Sequence, residues 1–212
     1  MPGAPGWNAR GRWWAWLAIA TAGTQPTPEV VSLPAADATR PPDPPVALYR
    51  QGKLFLEGSV PNEVTALSYA KKFGAILGAG NVYIDMKRDP RVAAGPLRVI
   101  VQEQYQFPTG SNALDPKYEG LLNLGIFALR QLPESKLVIT GYTDSAGPAD
   151  VNQSLSEQRA RIVADFMVVR GIPADRIVAL GRGPADPIAD NSTPEGRQRN
   201  RRIEATLEGV TP

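Results

Sequence analysis

Asp144 and Arg159 are the two residues of this chain whose types and setting point most directly to chemistry. Asp144 closes an apolar run, KLVITGYTD, and Arg159 falls in a helix-forming stretch, LSEQRARIVADF, a little further on. At about 100° per residue, Leu155, Ile162, Val163 and Phe166 share one helical face, and Arg159 falls within it. A guanidinium in an apolar stripe needs a carboxylate or a ligand, because burying it unpaired is costly. Asp144, at a strand end ahead of the helix start, is the nearest candidate partner. Beside a helix N-terminus with its free amides, such a pair would suit a zwitterion, the acid on an ammonium and the base on a carboxylate. The same two residues could equally form a structural ion pair at a loop and helix junction, and the patterning alone leaves both readings open.

Composition narrows the chemistry further. The 212 residues include neither Cys nor His. That excludes disulfides, thiolate nucleophiles, His-assisted triads and nearly every zinc site. No metal and no cofactor is expected. The enzymatic options left are Lys chemistry and a pair of carboxylates such as Asp144 with Glu157, the arrangement used by glycosidases. Lys and Arg number 23 against 21 for Asp and Glu, a formal charge of +2, too little to mark a nucleic-acid binder. The arginines crowded at 197, 199, 201 and 202 carry no interleaved aromatic, so they read as a strand paired to neighbouring carboxylates, and no nucleic-acid partner is expected.

The elements that must position Asp144 and Arg159 follow from periodicity. Leu97 to Phe107 reads as a strand. Asp115-Pro116 opens a helix to about Leu132, with Asp as cap, Pro at the first position and a broad apolar face. Lys136 to Tyr142 is a second strand. A helix from about Val151 to Arg170 follows, ended by Gly171 in a left-handed cap. RIVALGRG gives a third strand, PADPIADNSTPEGRQ a loop, and Asn200 to Glu208 a fourth strand. The order β-α-β-α-β-β makes an α+β sandwich of helices on a mixed sheet.

These blocks carry a resemblance. GYTDSAG, Asn152, LSEQRA, GIPADRI, GRGPADPIADN and TPEGRQRNRRIE together resemble the OmpA-like C-terminal, peptidoglycan-binding domain, over roughly residues 97 to 208, with the domain placed at 96–208. The resemblance implies a non-catalytic domain that binds the peptide stem of peptidoglycan at the free end of meso-diaminopimelate. It implies Asp144 on the ligand ammonium and Arg159 on its carboxylate, with Thr143, Asn152 and Leu155 lining the same pocket. One departure concerns the loop after Phe107, where Gly110 occupies a place many members give to Asn and Asn112 stands nearby.

Upstream, Val46 to Val92 reads as a β-β-α-β unit of its own. Short strands lie at Ala47 to Arg50 and Lys53 to Glu57 around a Gln51-Gly52 turn. A helix follows Pro61, and a strand runs from about Asn81 to Met86. Its LEGSVPNEV entry and exit resemble a single BON-like module, which implies association with membrane lipid; a plain packing unit fits the pattern as well. Residues 24–45 are Pro-rich and read as an extended, semi-rigid linker. Residues 1–23 combine Arg10 and Arg12 with WWAWLAIATAG, about half a ~30 Å hydrocarbon core if helical, as in a signal peptide or a short membrane anchor. Either form sends the remainder out of the cytoplasm, to a cell-envelope location: periplasm, outer membrane or cell wall. The expected function is to tether envelope or membrane to the cell wall, with no catalysis. A pore-forming envelope protein is the alternative, though no alternating barrel strands repeat along the chain.

Overall fold

A computed structural model describes residues 32–107 and 115–212. The expected signal segment 1–23, the first part of the linker, and Gly110 and Asn112 lie outside the described residues. The chain opens with a hairpin of β1 (Val46–Arg50) and β2 (Lys53–Val60). Gln51 and Gly52 both take positive φ, 50° and 75°, the two-residue turn whose twist matches its strands. In α1 (Glu63–Leu77) the Asn62 side chain accepts from the Thr65 amide, and Gly78 at φ 83° stops the helix. Next come β3 (Val82–Arg88), β4 (Leu97–Gln106), α2 (Glu119–Gln131), β5 (Lys136–Gly141), α3 (Ala149–Val169) and β6 (Ile177–Gly181). The chain ends with α4 (Pro194–Asn200) and β7 (Arg202–Val210).

All seven strands belong to one mixed sheet in the order β3-β2-β1-β4-β7-β5-β6. The parallel pairing of β1 with β4, from Val46 opposite Arg98 to Tyr49 opposite Val101, makes the 46–92 unit and the following residues continuous. The three long helices lie on one face. An apolar cavity of about 90 Å³ touches Phe73 of α1, Leu124 of α2 and Met167 of α3, together with inward residues of β1, β2, β4, β5 and β7. None of the described helices is long and apolar enough to cross a membrane.

Three features depart from the sequence reading. First, α4 occupies what reads as loop. Thr193 caps it by accepting from the Gly196 amide at 3.0 Å and Pro194 sits at its first position, a start signal hidden in a short polar helix. Asn200 therefore ends a helix, and the last strand starts at Arg202.

Second, the helix expected from Pro116 begins as a 3-10 turn, Pro116–Tyr118, capped by Asp115 through the Lys117 amide, and becomes α-helical at Glu119.

Third, the described part of the Pro-rich stretch is docked. Leu33 is buried in the core, and Ala35 bridges to Arg88 at the sheet edge. Arg91, ion-paired to Asp89 at 2.6 Å, donates to the carbonyls of Asp37, Ala38 and Arg40. The edge strand β3 has amide and carbonyl groups to satisfy, and this segment satisfies them at Arg88.

Candidate functional site

The site forms where β5 runs out. Two backbone hydrogen bonds extend the strand beyond Gly141: the Tyr142 amide donates to the Arg202 carbonyl and the Thr143 amide to the Gly183 carbonyl, each at 2.8 Å. These fix the direction of Thr143 and Asp144. Below them α3 lies close against the sheet, because Gly141 carries no side chain. A Cβ there would collide with the Ser156 carbonyl. Ser156 locks the contact by accepting from the Gly183 amide at 2.9 Å.

Asp144 is held at both carboxylate oxygens. Oδ1 accepts from the Ala146 amide at 3.0 Å, which forms an Asx turn, and Oδ2 accepts from Arg201 at 2.7 Å. The turn is braced from two sides. The Asn152 side chain donates to the Ala146 carbonyl at 2.9 Å, and the Ser145 amide donates to Asn191, which is itself held by buried Asn200. About a tenth of the Asp144 and Arg201 side chains is accessible.

Arg159 lies beneath, with no accessible surface. Its guanidinium stands 4.8 Å from the centroid of the Phe107 ring and makes a long, 3.5 Å contact to the Tyr142 carbonyl. Burial pushes its pKa down to about 10; the nearby charge of Arg201 adds to the fall and that of Asp144 opposes it. Two guanidinium groups thus lie within reach of the Asp144 charge, Arg201 in direct contact. Thr143 carries an imbalance. Its Oγ1 is buried and is the one buried side-chain N or O atom among the described residues without a hydrogen-bond partner. Unsatisfied polar groups of this kind are rare in folded proteins and cost about 1–3 kcal/mol.

The structure therefore brings Thr143, Asp144 and Arg159 to one corner. Asn152 is present as a brace for the Asp144 turn, and Leu155 is half-buried one turn before Arg159 on α3. The direct ion pair of Asp144 corrects the sequence reading: it is made with Arg201, where Arg159 was expected. The reason is register. Gly141 lies opposite Ile203 in the antiparallel β5–β7 pair, which carries Arg201 to the level of Thr143. Phe107 and Asn191 were also missed. The buried face of α3 is Asn152, Ser156, Arg159, Ala160, Val163 and Met167, polar at the site end and apolar at the other. The expected stripe of Leu155, Ile162 and Phe166 is only half-buried. Glu157 is exposed and accepts from Gln153.

The corner lies within a stretch that matches known proteins. A family model described as the OmpA family matches residues 106–201. The chain is 45% identical over 98 residues to the peptidoglycan-binding protein ArfA of Mycobacterium tuberculosis, covering 46% of this chain and 30% of that protein. It is 44% identical over 101 residues to the probable lipoprotein YiaD of Escherichia coli, covering 48% and 46% respectively. Among solved structures, the peptidoglycan-associated lipoprotein from Burkholderia pseudomallei aligns with a TM-score of 0.48 at 24% identity, over 50% of this chain and 90% of that one. The matched stretch spans less than half the length of both curated relatives. Residues 106–201 of this chain are a domain of the OmpA family.

Proposed function

We propose that the 96–208 domain binds peptidoglycan by the free amino-acid end of meso-diaminopimelate in the stem peptide, and that the protein tethers the cell envelope to its wall without catalysis. The observation that carries this reading is the buried, orphaned hydroxyl of Thr143 beside the slightly accessible Asp144–Arg201 pair. A ligand carboxylate supplies an acceptor for Thr143 and lies beside the cationic Arg201 and Arg159. Asp144 has acceptor capacity left for the ligand ammonium, since an ionised carboxylate offers about four lone-pair sites. Arg159 lies one layer down and takes the ligand carboxylate as a fork once a side chain above it gives way. Asn152 keeps the turn in place, and Leu155 contributes an apolar wall.

The domain division gives the tether its ends. Residues 1–23 supply the export signal or anchor, 24–45 the connection, and the 46–92 module a lipid-facing or packing unit against the wall-binding domain. A location in the cell envelope follows. The relatives named above support it: one is named as peptidoglycan-binding and the other as a lipoprotein. The carboxylate-pair hydrolase reading loses ground because Glu157 is engaged by Gln153 on the exposed side of α3, while Asp144 is engaged by Arg201.

The test is a pulldown of the full chain by purified diaminopimelate-type wall. Wild-type protein is retained, Asp144→Ala is lost to the supernatant with its circular dichroism spectrum intact, and no soluble muropeptide is released. Retention of the variant overturns the site, and release of muropeptides overturns the non-catalytic assignment.

A further inference from the structure

Two asparagines near the end of the chain reach back to the Asp144 turn. Asn200, with no accessible surface, ends α4. Its Oδ1 accepts from the Ile188 and Ala189 amides at 2.9 and 3.0 Å, and its Nδ2 donates to the Ala189 carbonyl and to Asn191 Oδ1, each at 2.9 Å. Both acceptor sites and both donors of the side chain are thereby used. The partners also fix which way each amide points. Because Asn200 turns its oxygen to two backbone N–H groups, its nitrogen faces Asn191. Asn191 then meets N–H groups from two directions, Asn200 and the Ser145 amide at 3.2 Å, and only its oxygen can serve both.

The loop that carries Asn191 is tied to α4 as well. Gly196 lets the helix approach so closely that a Cβ would overlap the Asp190 carbonyl, and Arg197 donates to the carbonyls of Asn191 and Ser192 at 2.9 and 3.0 Å. Loop and helix move as one piece.

At the corner the two amides that follow Asp144 part company. Ser145 gives its N–H to Asn191, and Ala146 gives its N–H to Asp144 Oδ1. The Ser145 N–H belongs to the planar peptide unit that joins Asp144 to Ser145, so its bond to Asn191 sets the plane of that unit. That plane in turn decides the direction from which the Ala146 amide meets the carboxylate. Asn200 is followed at once in the chain by Arg201, which donates to Asp144 Oδ2. One end of one short helix holds both the turn and the acid.

We propose that Asn191 and Asn200 are positioning residues of the binding corner, which aim Asp144 at the ligand ammonium without touching the ligand. Asn191 accepts the Ser145 amide, and Asn200 turns Asn191 to do so. The proposal rests on the wall-binding reading and adds that affinity is set in part 46 residues further along the chain than the turn itself. An acceptor already in place costs the ligand less ordering than one gathered on binding, so loss of this brace lowers affinity while the sheet stays folded.

Asn191→Ala removes the acceptor, whereas Asn191→Asp keeps an oxygen where both donors need one. In the ligand-free full chain, amide hydrogen exchange read by NMR should speed up at Ser145 by about tenfold in Asn191→Ala and stay near the wild-type rate in Asn191→Asp, since one net hydrogen bond is worth roughly that factor. Exchange in β5 and β7 should be unchanged in both. Affinity for diaminopimelate, read by calorimetry, should fall about tenfold in Asn191→Ala and recover in Asn191→Asp. Asn200→Asp keeps the bonds from the Ile188 and Ala189 amides but turns a second oxygen toward Asn191, so it should match Asn191→Ala in both measurements. Exchange at Ser145 that ignores Asn191→Ala or Asn200→Asp, or faster exchange with unchanged affinity, overturns the proposal alone. Failure of the wild-type protein to bind diaminopimelate, with exchange responding as expected, overturns the wall-binding reading and with it the role in recognition.

Discussion

Asp144 and Arg201 meet at 2.7 Å across the open end of the β5–β7 pair, with buried Arg159 near enough to feel both charges. This triad, two bases on one acid, governs what substitution should do at the corner. Replacing Asp144 by Asn keeps the shape and removes the carboxylate paired to Arg201. Arg201 then loses its ion pair and the repulsion between Arg159 and Arg201 is no longer offset by Asp144, so the protein should lose about 2–4 kcal/mol, by analogy with breaking a largely buried pair. Urea unfolding read by circular dichroism measures it, and an unchanged midpoint would show that the pair carries no stability.

Arg159→Met should behave in the opposite way. It removes a charge that burial disfavours and leaves the Asp144–Arg201 pair intact. Stability should be equal or higher, by ~0–3 kcal/mol, since burial that lowers the Arg159 pKa disfavours its charged form by about 1.4 kcal/mol per unit. Wall binding should be lost. A variant that binds wall normally removes Arg159 from the site.

Thr143→Val tests the orphaned hydroxyl. In the free protein the hydroxyl has no partner to lose, so stability should hold or rise by about 1 kcal/mol. Affinity for diaminopimelate, read by calorimetry, should fall roughly tenfold if the hydroxyl bonds the ligand, since each ~1.4 kcal/mol is a factor of ten. Unchanged affinity would leave the hydroxyl with no part in recognition.

The depressed pKa of Arg159 has a pH signature. Its folded value, about 10, lies below the ordinary guanidinium range, so above pH 10 the unfolded chain binds more protons than the folded one. The penalty is complete below pH 10 and is relieved as pH rises above it. The stability gap between wild type and Arg159→Met should therefore narrow from pH 9 to about pH 11. Because the ligand ammonium also titrates in alkali, ligand-free unfolding is the measurement to use. A gap constant over that range would contradict the shift.

Arg91→Ala should release the segment that Arg91 holds through the Asp37, Ala38 and Arg40 carbonyls. Limited proteolysis should then cut within residues 36–43 several times faster than in wild type while the sheet stays protected. Equal cutting rates would mean that the backbone bonds at Arg88 suffice.

Local order was legible where it depends on neighbours in the chain. The hairpin, α1 with its stop at Gly78, and α3 ending at Gly171 all follow from turn residues and spacing. Asp144 and Arg159 stand out by charge inside apolar surroundings, and the corner does contain both. What stayed hidden depends on pairing between distant segments. Arg201 becomes a partner of Asp144 only once β7 is set beside β5 in the observed register. The polar half of the buried face of α3 packs under a turn rather than in the oily core, so hydrophobic periodicity could not place it. The short helix α4 buries only Gly196 and Asn200, too little to leave an apolar pattern.

The continuity of the sheet through β1 and β4 also has a mechanical meaning. β4 and β5 both run antiparallel to β7, and β1 runs parallel to β4, so β1 and β5 point the same way. Traction applied at the start of β1 and at the corner past the end of β5 is directed along the strands. The interstrand ladders then resist sliding together rather than opening one bond at a time, the stronger geometry for a strap strained between two surfaces.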